Sequence, residues 1–377
     1  MKIIKITCFE VTVPAKAGTV DSPDMDKPLH KLPVGAKPGW SAQFDQLPKL
    51  IVHLELDNGV EGWGELYRNH EWAQVEAIAN ILLGQDISSF PLQRLPITYC
   101  REYDGFECAV CDAFAKSKNI PLVDLIGGAV RTKVKVGAWS SHRHLEEIGP
   151  LAAKYHQQGF DCIKFKCDLN DDVAGWCGEI AQHAPGMQVI LDPNERWEQS
   201  AEARSRIDAL AEIGNMLCLE DPLPRWQLDE FKALKTYGPV PIVLHVSLPY
   251  ILHGQRVEDA IKAIQTQAVD GFNFNGGIYK FKQLSDIAAA ANLPCWHGSE
   301  VDLGILEAMY VHSAAAAETC IWPSDIFGRL IRSHDLLKEP LEIDPPYVYL
   351  PNGPGLGVEP DREAINKYQQ TTKTFSL

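Results

Sequence analysis

Lys164 and Lys166, separated by one residue, close the apolar run DCIKFK. In an extended strand alternate side chains share a face, so both ammonium groups point the same way. Inside a protein they repel each other, which lowers the pKa of at least one toward the operating pH and makes it a candidate general base. The next apolar runs also end in polar groups. VILDPN ends in Asp192, with Asn194 two residues on, and MLCLEDPLP ends in Glu220 and Asp221. Carboxylates meeting on one rim are costly to bury without a compensating cation, and a hard, oxygen-seeking ion such as Mg2+ is the expected one. LPCWHGSE ends a later run in His297. Opposite Lys166 across a ring of strands, that imidazole would let one group remove a proton while the other delivers one. A solvated edge pair for the lysines, helix caps for the carboxylates and a satisfied core position for His297 are the plainer alternatives.

Such side chains need strands to carry them, and the sequence supplies eight candidates: 133–139, 161–166, 187–192, 216–220, 240–246, 270–275, 293–297 and 319–322. Amphipathic stretches such as 200–213, 257–268 and 280–291 separate them, with apolar residues at helical spacing. Strands alternating with helices imply a parallel sheet, and eight of them close most readily as a (β/α)8-type TIM barrel, whose active site lies at the C-terminal strand ends. The class expected is α/β. Ahead of this repeat the chain reads as α+β: strands at 1–13 and 49–58, a hairpin turn at Asp57-Asn58-Gly59, then helices over 70–84 and 105–118. Residues 15–47, rich in Gly, Pro, Asp and Lys, are too long for an ordinary connection and suggest a functional loop or lid. After 341 the chain turns Pro- and Gly-rich and β-like, and is expected to return to the first section.

A chain of 377 residues accommodates a barrel and an accessory domain. Its net charge of -15 argues against nucleic acid and anionic membranes, both of which select clustered Lys and Arg. An anionic small molecule stays compatible, because a few lysines in one pocket reverse the local field. No apolar run approaches a bilayer span and the N-terminus lacks a signal-peptide pattern. Ten cysteines without a small-domain spacing suit a reducing compartment, so a cytoplasmic protein is expected.

Taken in order, FECAVCDAFAKSKNIPLVDLIGGAVRTKVKV, KFK, LDPN, LEDPLP and PNGPGLGVEPD resemble the mandelate racemase/muconate lactonizing enzyme group of the enolase superfamily across nearly the whole chain. The resemblance implies a modified barrel at 129–340 and an N-terminal α+β capping domain at 1–128, completed by a C-terminal segment at 341–377. It also implies Mg2+ on Asp192 and Glu220, Lys166 as acid/base supported by Lys164, and an enediolate formed when the α-proton of a carboxylate leaves. Relatives are commonly homo-oligomers.

Two positions depart from the pattern. Where relatives carry a third acidic ligand, PIVLHVSLP offers His245, which would soften the site toward Mn2+ or another divalent metal. Where relatives place a catalytic Lys or an Asp that orients the seventh-strand His, DGFNFNGGIYK offers Asn275, leaving Asn275, Glu300 or Asp302 as the orienter of His297. Trp322 stands on the eighth strand where many relatives are acidic or polar. Tyr67, Arg68 and His70 in the 62–70 turn, and Trp40 in the lid, are candidate substrate contacts, with Arg68 suited to a distal carboxylate. The leading expectation is a hydroxy-acid dehydratase acting on an acid sugar or a hydroxyproline-like substrate, with His297 as the acid. A racemase, epimerase or cycloisomerase is the alternative enzyme reading, and a weakly active carboxylate-binding relative is the non-enzymatic one.

Overall fold

The computed structural model describes residues 1–22, 48–197, 199–249 and 255–377. An antiparallel hairpin opens the fold after the first strand. β1 (Ile3–Val11) pairs with β2 (Lys49–Leu56), and β2 turns through Asp57–Gly59 into β3 (Glu61–Leu66). Gly59 takes φ 80°, which the tight turn requires. Two helices follow, α1 (Trp72–Leu82) and α2 (Tyr103–Ser117). α2 lies so close to β3 that a Cβ on Gly62 or Gly64 would collide with the backbone oxygens of Ala109 and Gly105. Only glycine lets the two backbones meet there, and α2 is buried along most of its length.

The repeat then runs β4 (Lys133–Lys135), β5 (Ala138–Ser140), α3 (Leu145–Gln157), β6 (Cys162–Lys166), α4 (Val173–His183), β7 (Gln188–Asp192), α5 (Ser200–Ile213), β8 (Met216–Glu220), α6 (Leu228–Tyr237), β9 (Ile242–Ser247), α7 (Val257–Gln265), β10 (Gly271–Asn275), α8 (Ile278–Ala290), β11 (Cys295–His297), α9 (Gly304–Ala316) and α10 (Gly328–Ile331). Strands β5 to β11 form one seven-stranded parallel sheet in sequence order. The run expected as a single strand at 133–139 divides at Val136-Gly137, so that β4 leaves the parallel sheet. β4 pairs instead with β13 (Tyr347–Tyr349), beside β12 (Ile343–Asp344).

The eighth strand expected at 319–322 does not form. That segment makes single bridges, Cys320 with Cys295 on one side and Ser324 with Val136 on the other. Ser324 N donates to the Lys135 carbonyl at 2.8 Å and Asp325 N to the His297 carbonyl at 2.8 Å. The sheet is therefore curled, with one short segment touching both of its edges. After α11 (Arg362–Tyr368) the chain ends in β14 (Gln369–Ser376), antiparallel to β1 with Lys5 opposite Ser376. Among the described residues no helix is long and apolar enough to cross a membrane.

Two buried carboxyls join α2 to the parallel-sheet region. Asp104 and Glu107 reach the backbone N–H groups of Gly277, Ile278 and Tyr279 at the start of α8, where the helix dipole favours negative charge. Burial pushes Asp104 from 3.8 up to about 7. A proton held in the folded chain but released from the unfolded one stabilises the fold below the unfolded pKa and is lost as a stabilising factor as pH rises through the folded value. Relative to Asp104→Asn, which is neutral throughout, the wild type should lose stability between about pH 4 and about pH 7 and level off above. Denaturant midpoints for both proteins across that range test this, and parallel pH profiles would contradict it.

Candidate active site

Strand register decides which side chains enter the interior of the curled sheet. Lys164 pairs with Ile190 and Lys166 with Asp192, Asn273 aligns with His245, and Trp296 aligns with Asn273. Cys162, Ile190, Cys218, Val243 and Trp296 pack together as an interior layer. One step of two residues along each strand, toward the C-terminal ends, lie Lys164, Asp192, Glu220 and His245. The alternation that gives strands a hydrophobic and a polar face here gives an apolar floor and a charged rim.

Lys164 is at the centre of that rim. Its Nζ lies 2.7 Å from Glu220 Oε2, 3.3 Å from Asp192 Oδ2 and 2.9 Å from Asp325 Oδ2. Burial alone would depress its pKa, but Asp325, Glu220 and Asp192 outweigh burial and hold it well above the usual lysine range. The expected mutual repulsion is therefore overcome at Lys164, which is kept as an ammonium. Lys166 donates to Asp192 and keeps 13% of its side chain exposed against 4% for Lys164, so it is the lysine that faces the open pocket. Burial raises the pKa of Asp192 but Lys166 and Lys164 pull it below the ordinary range. Glu220, by contrast, is pushed up to about 8 by burial and by Asp192 beside it.

His245 stands next to these acids. Its Nε2 pairs with Asn275 Oδ1 at 2.9 Å, and its Nδ1 lies 3.5 Å from Glu220 Oε1. Burial, then Arg225 and Lys164, hold its pKa well below the usual value, so it is a neutral imidazole. Asn273 Nδ2 donates to Glu220 Oε1 at 2.8 Å. Asp221 accepts from Arg225 Nε at 2.7 Å and from the His245 N–H at 2.8 Å, and sits at φ 44°, a left-handed conformation uncommon outside glycine. Asn194 also has positive φ, 47°, and gives both its backbone N–H and its amide to Asp192 Oδ1. Strained backbone at two successive strand ends is the kind of local cost found at functional sites.

His297 is not part of this rim. It aligns with the outward-facing Phe274, and its ring lies between Phe281 of α8 at 4.2 Å and Tyr310 of α9 at 4.0 Å. Its Nδ1 meets the Gly298 carbonyl at 2.8 Å, and burial lowers its pKa to about 3. The expectation of a catalytic acid at His297 is corrected: parity turns it into the helix layer and brings Trp296 inward instead. The next inward position is Gly298, where a Cβ would collide with Asn273 and Asn275. His297→Leu should therefore leave catalysis within about 3-fold and cost roughly 1–3 kcal/mol of stability from the lost stacking and hydrogen bond. A proton donor removed from the reaction would instead cost about 10²- to 10⁴-fold.

The family profile described as "Enolase C-terminal domain-like" matches residues 147–364. The chain belongs to the enolase superfamily. Muconate cycloisomerase 1 of Rhodococcus opacus is 27% identical over 376 residues, 93% of this chain and 97% of that protein. The o-succinylbenzoate synthase of Geobacillus kaustophilus is 26% identical, covering 86% of this chain and 90% of its own length. Among solved structures, N-succinyl Arg/Lys racemase from Bacillus cereus superposes with a TM-score of 0.82 at 20% identity, over 100% of both chains. That likeness shows the fold. The chain is thus an enzyme-family member, of the mandelate racemase/muconate lactonizing type, among isomerases and lyases.

Enolase-superfamily enzymes use a divalent metal, typically Mg2+, and the residues present fit such an ion. Glu220, Asp221 and His245 bring one ligand atom each within 4.8 Å of one another. Glu220 resists ionising without a nearby cation, the imidazole of His245 is neutral, and the buried Asn273 Oδ1 has no hydrogen-bond partner. The compact trio differs from the expected set of Asp192, Glu220 and His245. Asp221 already has both oxygens engaged by Arg225 and the backbone, so Asp192, reached across Lys164, is the better third oxygen donor.

The remaining expected contacts divide. Arg68 and Glu300 line the pocket beside Lys164, Lys166, His245 and Asp325. Asn194 and Asn275 brace Asp192 and His245 respectively. Tyr67 lies behind the pocket, its ring 5.9 Å from both Lys49 Nζ and the Arg101 guanidinium. His70 pairs with Glu10 at 2.9 Å and does not line that pocket. Of the expected orienters of His297, Asp302 accepts from Lys49 and Tyr310, Asn275 pairs with His245, and Glu300 pairs with Arg68 and Arg101. Trp322 is corrected outright: it packs against Gly271 and Trp296 at the opposite end of the sheet. Trp40, and residues 23–47 of the expected lid, lie outside the described residues. Ala15 to Ser22 pack against Ile331, Arg329 and His142. Asp325, Asn273 and Arg225 were missed. Asp325 follows a segment without strand pairing, and nothing in SDIFGRL marked it as inward-facing.

Proposed function

We propose that this protein is a metal-assisted isomerase of the cycloisomerase type, which transfers the α-proton of a carboxylate substrate on a single face through Lys166. The observation that carries this reading is the asymmetry of the interior. Two lysines enter on β6, whereas β10 and β11 present Asn273, Asn275, Trp296 and Gly298, none of which exchanges protons near neutral pH. Among the described residues neither β10 nor β11 brings an acid or base inward to face the lysines, and Glu300, which follows β11, is held by Arg68 and Arg101. Inverting a stereocentre takes groups on both faces, whereas addition and elimination on one face need only one. The relative named muconate cycloisomerase 1 accords with this. Dehydration with His297 as the acid has lost its acid and is set aside.

In this reading a divalent ion on Asp192, Glu220 and His245 would supply positive charge to the oxyanion that develops as the α-proton leaves. Lys166 takes the proton and returns it to the same face. Lys164, held as an ammonium by three carboxylates, adds fixed positive charge beside the substrate carboxylate. Asn275 fixes the orientation of the His245 ring, and Arg225 holds Asp221 and with it the end of β8. The strands β1 to β3 with β14 are proposed as the cap over the pocket, with boundaries at 1–128, 129–340 and 341–377. A cytoplasmic location, which ten free cysteines support, and a homo-oligomeric state, which rests on family resemblance alone, complete the proposal.

Incubation of enantiopure α-substituted acids with Mg2+ in D2O tests the one-face reading. Deuterium should enter with retention of configuration. Inversion at a rate matching exchange would replace it with a two-base racemase.

A further inference from the structure

We propose that Cys295 and Cys320 form a reversible thiol pair that hydrogen peroxide oxidises to a disulfide, clasping the segment that closes the curled sheet onto β11. The two residues face each other as an isolated parallel bridge. Cys295 N donates to the Thr319 carbonyl at 2.8 Å and Trp322 N to the Cys295 carbonyl at 3.4 Å, which fixes the two backbones side by side. Neighbouring strands lie about 4.8 Å apart, inside the roughly 4.4–6.8 Å that a disulfide spans between Cα atoms. Cys295 aligns with Phe272, so the pair lies on the helix side of the sheet, away from the charged rim. Among the described residues no other two cysteines face each other across a strand pairing. The clasp matters because single bridges are all that tie this segment to the sheet, and five residues beyond Cys320 it carries Asp325, 2.9 Å from Lys164 Nζ.

The surroundings favour reaction at Cys320. Its Sγ lies 3.7 Å from Ser324 Oγ, and Arg131 is held beside the segment by the Ala314 and Glu318 carbonyls, each at 2.8 Å. The Cys295 thiol, then Ser324 and the Arg131 charge, hold Cys320 below the usual thiol value against the opposing effect of burial. Burial instead pushes Cys8 and Cys177 up to about 12 and Cys100 up to about 11, which keeps those thiols protonated and inert. Both members of the pair are buried, but Ile321 next to Cys320 is 56% exposed, so a molecule little larger than water has a short way in. The Cys320 thiolate attacks one peroxide oxygen and the O–O bond breaks, leaving a sulfenic acid and a hydroxide that takes the proton Cys320 gave up. The Cys295 sulfur then displaces hydroxide from the sulfenic sulfur, and its own proton leaves with that hydroxide as a second water. Two thiols have lost two electrons and two protons, and the peroxide is reduced to water. In a reducing compartment the pair rests as thiols and closes only on oxidation.

Peroxide titration of the full chain, with remaining thiols blocked by N-ethylmaleimide before non-reducing peptide mapping, tests the proposal. At low equivalents one disulfide should appear, joining the peptides that carry Cys295 and Cys320, with a mass loss of about 2 Da that dithiothreitol reverses. The oxidised protein should melt about 3–6 °C above the reduced one, as expected when a cross-link closes a loop of this length. Cys295→Ser should stop the reaction at a Cys320 sulfenic acid that dimedone traps, and Cys320→Ser should leave Cys295 a thiol at the same dose. Circular dichroism establishes that each variant is folded, and mapping of the wild type decides the pairing without them. First oxidation at any other cysteine, or no bond between these two, overturns the pair. A disulfide that leaves the melting temperature unchanged overturns the clasp.

Discussion

Lys166→Ala should lower metal-dependent α-proton exchange by about 10³-fold or more, a loss at the upper end of what a positioned general base contributes. The expectation follows from which lysine is free to act. Lys164 contacts three carboxylates and is held as an ammonium by them, so it has no proton-accepting form near neutral pH. Lys166 contacts one, Asp192, and is the more exposed of the two. Measured by deuterium incorporation into a bound carboxylic acid, the variant should fall to the solvent background with little change in affinity for that acid. Lys164→Ala should weaken acid binding as well as exchange, because it removes fixed charge from the centre of the rim. Retained exchange in Lys166→Ala would remove that residue from the chemistry.

The second large effect concerns Glu220. Burial and Asp192 push it up to about 8, so below that pH it tends to hold a proton that a divalent ion must displace. Metal affinity should therefore rise with pH until about 8 and then flatten. In Glu220→Gln it should drop by about 10²-fold or more, beyond the roughly 10- to 100-fold typical of losing a supporting partner. Titration with Mg2+ and Mn2+ at several pH values measures both, and proton release on binding should vanish in the variant. His245 adds a nitrogen donor where relatives have an oxygen, so the wild type should favour Mn2+ over Mg2+ more than His245→Asp does.

The alternation of β6 is written in its residues. Lys164 and Lys166 flank Phe165, and a strand can place both charges on one face only by placing them inward together. Asp192 and Glu220 were legible for the same reason, as the polar ends of apolar runs. The helix at 200–213 and the strand at 216–220 were readable to the residue from their periodicity. LPCWHGSE carried no such signal. Cys295, Trp296 and His297 are all residues that a core accepts, so nothing in the run distinguishes its inner face from its outer one.

Pairing decides that question. The register of β11 on β10 puts His297 level with Phe274 and Trp296 level with Asn273, and a shift of one residue would have exchanged them. The same holds for Asp325, which no strand of its own positions. It reaches Lys164 because the segment before it is bridged to both edges of the curled sheet. By itself the sequence determined the lysine pair, the two acidic strand ends, the nitrogen at the fifth strand and the α/β repeat, since each depends on neighbours only a few residues apart. The tertiary structure alone decided that His297 leaves the interior while Asp325 and Asn273 enter it. Those depend on register and on contacts between residues more than a hundred positions apart in the chain, such as Lys164 and Asp325, which local pattern does not encode.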